Sequence, residues 1–269
     1  MKVLDSLFIY RRFLAVSLRA QMQYKASFLM QLGGRLIITA GEFMAILVLF
    51  DRFDSLIGWN VYQVAFIYGI VNISFAVADA MTTGFDLFGD MVKTGDFDRI
   101  LIRPRSTALQ LAGQELTLRR ISRLTPGLVA LTWAAMNLDL NWTFANASLL
   151  MVSVAGGASL FAGLIVLQAT LAFWTTETLE MMNTLTYGGV ETTQYPINIY
   201  RPWFRNFFTF GIPLATVSYF PALAIMGTPD PLGTPLWFQY IAPAIGIAFL
   251  IGSLQVWRIG VRHYLSTGS

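Results

Sequence analysis

Residues 237–257 hold no charged side chain and carry a tryptophan at each end. A helix rising 1.5 Å per residue needs about 20 such residues to cross the hydrocarbon of a bilayer, and interfacial Trp anchors fit its two ends. Five further runs meet the same test: residues 28–50, 61–81, 121–138, 147–174 and 203–226. The run at 121–138 carries Pro126-Gly127, which predicts a kink, and the run at 203–226 is broken by Gly211, Pro213 and Pro221. Between them the runs take up most of a chain that is 55% hydrophobic and 12% charged, the latter about half the share of a soluble domain. The expected fold is an all-α integral membrane protein with six transmembrane helices and a broken fifth span. It is one transmembrane domain over residues 1–269.

All of the 18 Lys and Arg except Arg35 and Arg52 fall on one side of such a six-span chain, while Asp51, Asp54, Asp139 and Asp230 fall on the other. The positive-inside bias therefore predicts a multi-pass membrane protein with both termini cytoplasmic. Ahead of the first run, Leu4, Leu7, Phe8, Ala15, Leu18 and Met22 recur at helical spacing among Arg11, Arg12 and Arg19. This pattern predicts an amphipathic interfacial helix over residues 1–26.

Polar residues inside the runs are the first candidates for function. Arg35 and Glu42 are seven residues apart and share a helix face. Either they line a subunit interface or substrate pathway, or Arg35 snorkels to the boundary and Glu42 pairs with a neighbouring helix. Asp79 falls close enough to the inner boundary to be solvated. Glu115 and Arg119 have the i, i+4 spacing of a helical ion pair, and Ala155, Ser159 and Gly163 form a small-residue row suited to helix packing. Glu177 and Glu180, with Glu191, argue against a lipid-exposed span between the fourth and fifth runs. Glu177 and Glu180 are expected to cap the cytoplasmic end of a helix.

Much chemistry is excluded. The sequence has no Cys and a single His, His263, so neither a thiolate site nor an H-E-x-x-H zinc pair exists. No P-loop run occurs, so ATP is not bound in that manner. Catalytic residues, a metal site and nucleic-acid binding are not expected, and the chain is not expected to be an enzyme.

One polar stretch separates the second and third runs: "MVKTGDFDRILIRPRS". It belongs to an expected cytoplasmic loop over residues 82–120. Asp86, Asp90 and Lys93 predict a short amphipathic helix stopped at Gly95. Phe97, Ile100 and Leu101 are then expected to be exposed among Asp96, Asp98 and Arg99, an apolar knob ringed by charge that suits protein docking.

Gly95, Phe97, Asp98, Leu101, Arg103 and Pro104 match a G-x-[FL]-D-x-x-L-x-[RK]-P signature. Tyr195-Pro196, Ile212-Pro213 and Tyr219-Phe220-Pro221-Ala222 match a second, Y-P…I-P…Y-x-P-A region. On these motifs the chain resembles the permease subunits of bacterial type-2 ABC transporters, in particular a six-span subfamily of exporter type. The resemblance implies half of a substrate pathway, dimerised with an identical or paralogous permease and docked on two copies of a separate P-loop ATPase. ATP and Mg would be bound there and not in this chain. It also implies a coupling helix within residues 86–101. The region containing Phe207, Pro213, Tyr219 and Pro221 would form an outer gate, where members of that family break a span into re-entrant pieces. The cargo expected from aromatic-rich walls is a hydrophobic or amphipathic compound such as a drug, lipid or natural product. The alternative is a stand-alone channel or ion-coupled carrier using Arg35, Glu42 and Asp79.

Overall fold

The computed structural model describes residues 25–114, 122–175 and 179–264. The interfacial helix expected over 1–26 falls almost wholly outside the described residues. So do the ion pair expected between Glu115 and Arg119, Glu177, and the side chains of Arg35 and Glu180.

Among the described residues every regular element is helical. They are α1 (Lys25–Arg52), α2 (Val61–Asp86), α3 (Phe88–Thr94), α4 (Asp98–Leu101), α5 (Thr107–Gln114), α6 (Leu124–Asn137), α7 (Phe144–Leu171), α8 (Leu179–Thr193), α9 (Pro202–Asn206), α10 (Tyr219–Met226), α11 (Leu236–Ile241) and α12 (Pro243–His263). Four stretches are long and apolar enough to cross a membrane: Leu29–Arg52, Val61–Thr94, Phe144–Leu171 and Pro243–His263. A bent pair, Pro202–Gly211 with Leu214–Met226, makes a fifth if counted as one span. In the run at 121–138 the described residues form the 14-residue α6, with Pro126 buried in its first turn, where a missing N–H costs nothing. The run at 237–257 is interrupted at Ala242, so Trp237 belongs to α11 and the long helix starts at Pro243.

α2 is the axis of the molecule and is almost entirely buried. It starts with a reciprocal cap: Gln63 N–H donates to Asn60 Oδ1 at 2.9 Å, and Asn60 N–H to Gln63 Oε1 at 3.0 Å. Absent side chains set its neighbours. A Cβ on Gly69 would lie 2.6 Å from Leu131 Cβ, and one on Gly127 would lie 3.1 Å from Asn72 Cβ. These pairs run α6 antiparallel to α2. On the other side, Gly157 faces Ser74, and Phe75 meets Phe161 edge-on at 5.3 Å.

α7 and α12 pack through small residues at a period of seven. Gly156 lies against Pro243 and Gly246, Gly163 against Phe249 and Ser253, and Thr170 against Gly260. A seven-residue repeat of small side chains is the pattern of two helices crossing at a shallow angle with close backbones. The numbers rise together on both helices, so α7 and α12 are parallel. This row is one step round the helix from the expected Ala155, Ser159 and Gly163, of which only Gly163 belongs to it.

The chain returns between α7 and α12 by an unexpected route. Along α8, Tyr187 meets Phe75 at the middle of α2 at 5.5 Å. Eleven residues on, Asn198 Oδ1 accepts a 3.1 Å bond from Trp59 Nε1 at the start of α2. α8 therefore climbs toward the end where α2 starts. Tyr219 also faces Trp59, at 5.9 Å, and Tyr240 OH donates to Asn146 Oδ1, near the start of α7, at 3.1 Å. The bent pair thus enters and leaves at one end, bent by 74° at its break. This corrects the expectation of a single crossing over 203–226. It also places Arg201 and Arg205 with Arg52, at the end opposite Arg99, Arg103, Arg105, Arg258 and Arg262.

Candidate functional site

The polar stretch after α2 folds into an elbow of three short helices. α3 ends where Gly95 takes φ +75°, a left-handed conformation that glycine adopts without strain, and the chain reverses into α4. Gln110 Nε2 donates to the Ile100 and Arg105 carbonyls, both at 3.2 Å, tying α5 back onto the elbow. α5 in turn lies directly on α2, because a Cβ at Gly84 would collide with the Leu111 carbonyl.

Phe97 is not exposed; it is fully buried. Its ring meets Phe88 at 4.9 Å, Tyr264 at 5.0 Å, Phe173 at 5.7 Å and Trp257 at 6.3 Å, all edge to face. Trp257 itself donates from Nε1 to Thr107 Oγ1 at 3.0 Å. Phe97 therefore locks the elbow to the ends of α7 and α12. Ile100 is buried beside it. The reason is helical spacing: Phe97 and Ile100, three apart, turn inward, while Arg99 and Ile102 lie toward the outer side and Leu101 stays partly exposed between them.

The outer surface of the elbow combines charge with aliphatic groups. Asp86, Asp90, Lys93 and Arg99 are exposed, with Asp90–Lys93 at 3.7 Å and Asp96–Arg99 at 3.5 Å. Thr94 Oγ1 donates to Asp96 Oδ2 at 2.9 Å. Surface pairs of this kind add little stability, which leaves their charges available to a partner. Ile102, 83% exposed, is the most prominent apolar side chain, with Leu87 and Leu101 less so. Ile102 was not singled out from the sequence, although its place opposite Phe97 on the helical wheel marks it.

A second cluster lies between α1, α6 and α8. Arg123 Nη2 is 3.4 Å from Glu42 Oε1, and Arg123 Nη1 is 3.6 Å from Glu191 Oε1. The guanidinium also sits 5.4 Å from the centre of the Phe75 ring. Glu42 thus pairs with a neighbouring helix, through a residue whose role the sequence did not reveal. Two carboxylates share one cation here, and Glu42 Oε2 is buried without a hydrogen-bond partner. α1 otherwise touches little, and Ile37, Ile38, Met44 and Val48 stand exposed along it. Asp79 is buried, not solvated, because α2 is enclosed by its neighbours over most of its length.

The third group is the bent pair. Phe207–Gly211 widens into a π turn, Ile212 is extended, and Pro213 starts a tight turn before α10. Pro213 and Pro221 are buried, the latter in the first turn of α10, where proline is tolerated. Tyr219 OH donates to Asp230 Oδ1 at 2.8 Å, and Asp230 also accepts from Leu232 N–H at 3.0 Å, which closes the loop after α10. Phe207 is exposed beside Trp203 and Phe210, whereas Phe208 is buried. Tyr200 OH donates to the Thr192 carbonyl at 3.0 Å; burial, then neighbouring Tyr195, pushes its pKa up to about 12, so it holds this loop as a neutral donor. Among the described residues no group of His, Asp and Glu forms a candidate metal site.

No curated protein and no solved structure matches the chain. A family described as "ABC-2 family transporter protein" matches residues 36–268, which include the elbow, the charged cluster and the bent pair. The chain belongs to the ABC-2 family of transporter proteins, as a membrane permease.

Proposed function

We propose that the chain is the permease half of an ATP-driven exporter, gripped at its elbow by a separate P-loop ATPase. The single observation behind this reading is the buried Phe97, which joins an exposed, charged elbow to the ends of two long helices. A force applied to Ile102, Asp90 or Arg99 passes through packed rings to α7 and α12, as a two-state packed element requires. The permease supplies no chemistry; ATP and Mg belong to the partner.

In this reading the elbow and both termini face the cytoplasm of a bacterial inner membrane, and α8 makes the fifth of six crossings. The bent pair then dips into the membrane from the outside and closes the pathway there, with Pro213 at its tip. The exposed apolar side of α1 covers a second permease, identical or paralogous, and each permease carries one ATPase. Glu42, Arg123 and Glu191 border the pathway between the two, and the aromatic surroundings suit an amphipathic cargo. The shared cation of this cluster favours one rival reading, an ion-coupled carrier, which predicts transport that persists without any ATPase. Reconstituting the chain with and without the ATPase decides between them: ATP-dependent transport supports the proposal, and ATP-independent, pH-driven transport overturns it.

A further inference from the structure

A cavity of about 850 Å³ lies between α2, α5, α7 and α12, on the opposite side of α2 from α6. Its volume is in the range of sites that enclose a small molecule. The walls are mostly apolar and rich in small residues, among them Ala78, Ala155 and Ala158, with Phe85 and Trp257 the aromatic members. Met81 and Leu109, 47% and 40% exposed, stand at its open side. Along α7 the lining extends from Ala155 to Val166, which is about 16 Å at the helical rise. That is about half the thickness of the hydrocarbon, the depth of one leaflet.

One end of the cavity is polar. Arg258 and the hydroxyl residues Ser106 and Thr107 line it there, at the elbow end of α12. Arg258 is exposed, and its Nη1 hydrogen-bonds only Gln255 Oε1, at 3.2 Å; among the described residues it meets no carboxylate. Asp86, at the close of α2, lies off the lining. An apolar slot one leaflet deep, ending in an uncompensated guanidinium, has the dimensions and charge of an anionic phospholipid.

We propose that this groove is a binding site for one anionic phospholipid, with an acyl chain between α2, α7 and α12 and its phosphate on Arg258. The site is distinct from the pathway that the charged cluster borders and does not depend on ATPase coupling. Because Thr107 also holds Trp257 of the aromatic lock, the lipid would seat beside the elbow.

The test is native mass spectrometry of the full-length chain in mild detergent, titrated with phosphatidylglycerol or phosphatidylcholine. One tightly retained phosphatidylglycerol per chain is expected, preferred about fivefold over phosphatidylcholine, the share of one Arg near a headgroup. Arg258→Gln, at an exposed position, should abolish that preference while leaving an acyl chain bound. Ala155→Phe and Ala158→Phe, which fill the slot, should reduce retention of both lipids. Equal retention by the wild type and both filled variants means lipid held only at the general protein surface and overturns the proposal. So does a headgroup preference that survives Arg258→Gln.

Discussion

Phe97→Ala removes one of the two side chains, with Phe173, that meet every other ring of the lock. The ring is fully buried and meets four aromatic partners within 6.3 Å. Truncating a buried Phe costs about 3–5 kcal/mol, which here falls on the local attachment of the elbow because the long helices keep their own packing. The population of detached elbow should rise by about 10²–10³-fold, at roughly tenfold per 1.4 kcal/mol. Hydrogen exchange in lipid nanodiscs reads this directly: backbone amides over 88–110 should lose two to three orders of magnitude of protection, while the middle of α2 stays protected. In the assembled transporter the same variant should hydrolyse ATP and fail to move cargo, with the chain still inserted. Unchanged protection over 88–110 in a well-inserted variant would refute the lock.

Three further outcomes follow from the same geometry. Ile102→Asp, at an 83% exposed position, should leave thermal stability within about 0.5 kcal/mol and abolish co-purification with the ATPase. Gly84→Ala should destabilise by about 1–3 kcal/mol, read as a lowered Tm, because its Cβ meets the backbone of Leu111 and pushes α5 off α2. Arg123→Gln should destabilise by about 2–4 kcal/mol by leaving Glu42 and Glu191 without their cation, and Glu42→Gln in the same chain should recover part of the loss; an additive double variant would contradict the pairing.

The long apolar helices were legible in the sequence because crossing length and hydropathy are local properties. So was the stop of α3, since Gly95 is a local conformational requirement. The fate of Phe97 was misread because charged neighbours suggest exposure, whereas its i, i+3 spacing with Ile100 puts both on an inward face. The return path was misread for a different reason. Glu191 argues against a lipid-facing helix, but α8 meets Arg123 with that residue, a partner 68 positions away that no local pattern reveals. Once α8 climbs, the break at Gly211–Pro213 bends a pair that enters and leaves at one end. The period of seven in Gly246, Ser253 and Gly260 was present in the sequence. It gains meaning only beside Gly156, Gly163 and Thr170.

The absence of native cysteine allows the central claim to be tested at one atom. Ile102→Cys in inner-membrane vesicles, treated with a short bifunctional maleimide, should crosslink to a P-loop ATPase subunit carrying a cysteine in its own docking cleft. Without that subunit the same position should react with a membrane-impermeant maleimide from the cytoplasmic side only. Labelling of Ile102→Cys from the external side of intact cells would contradict the account.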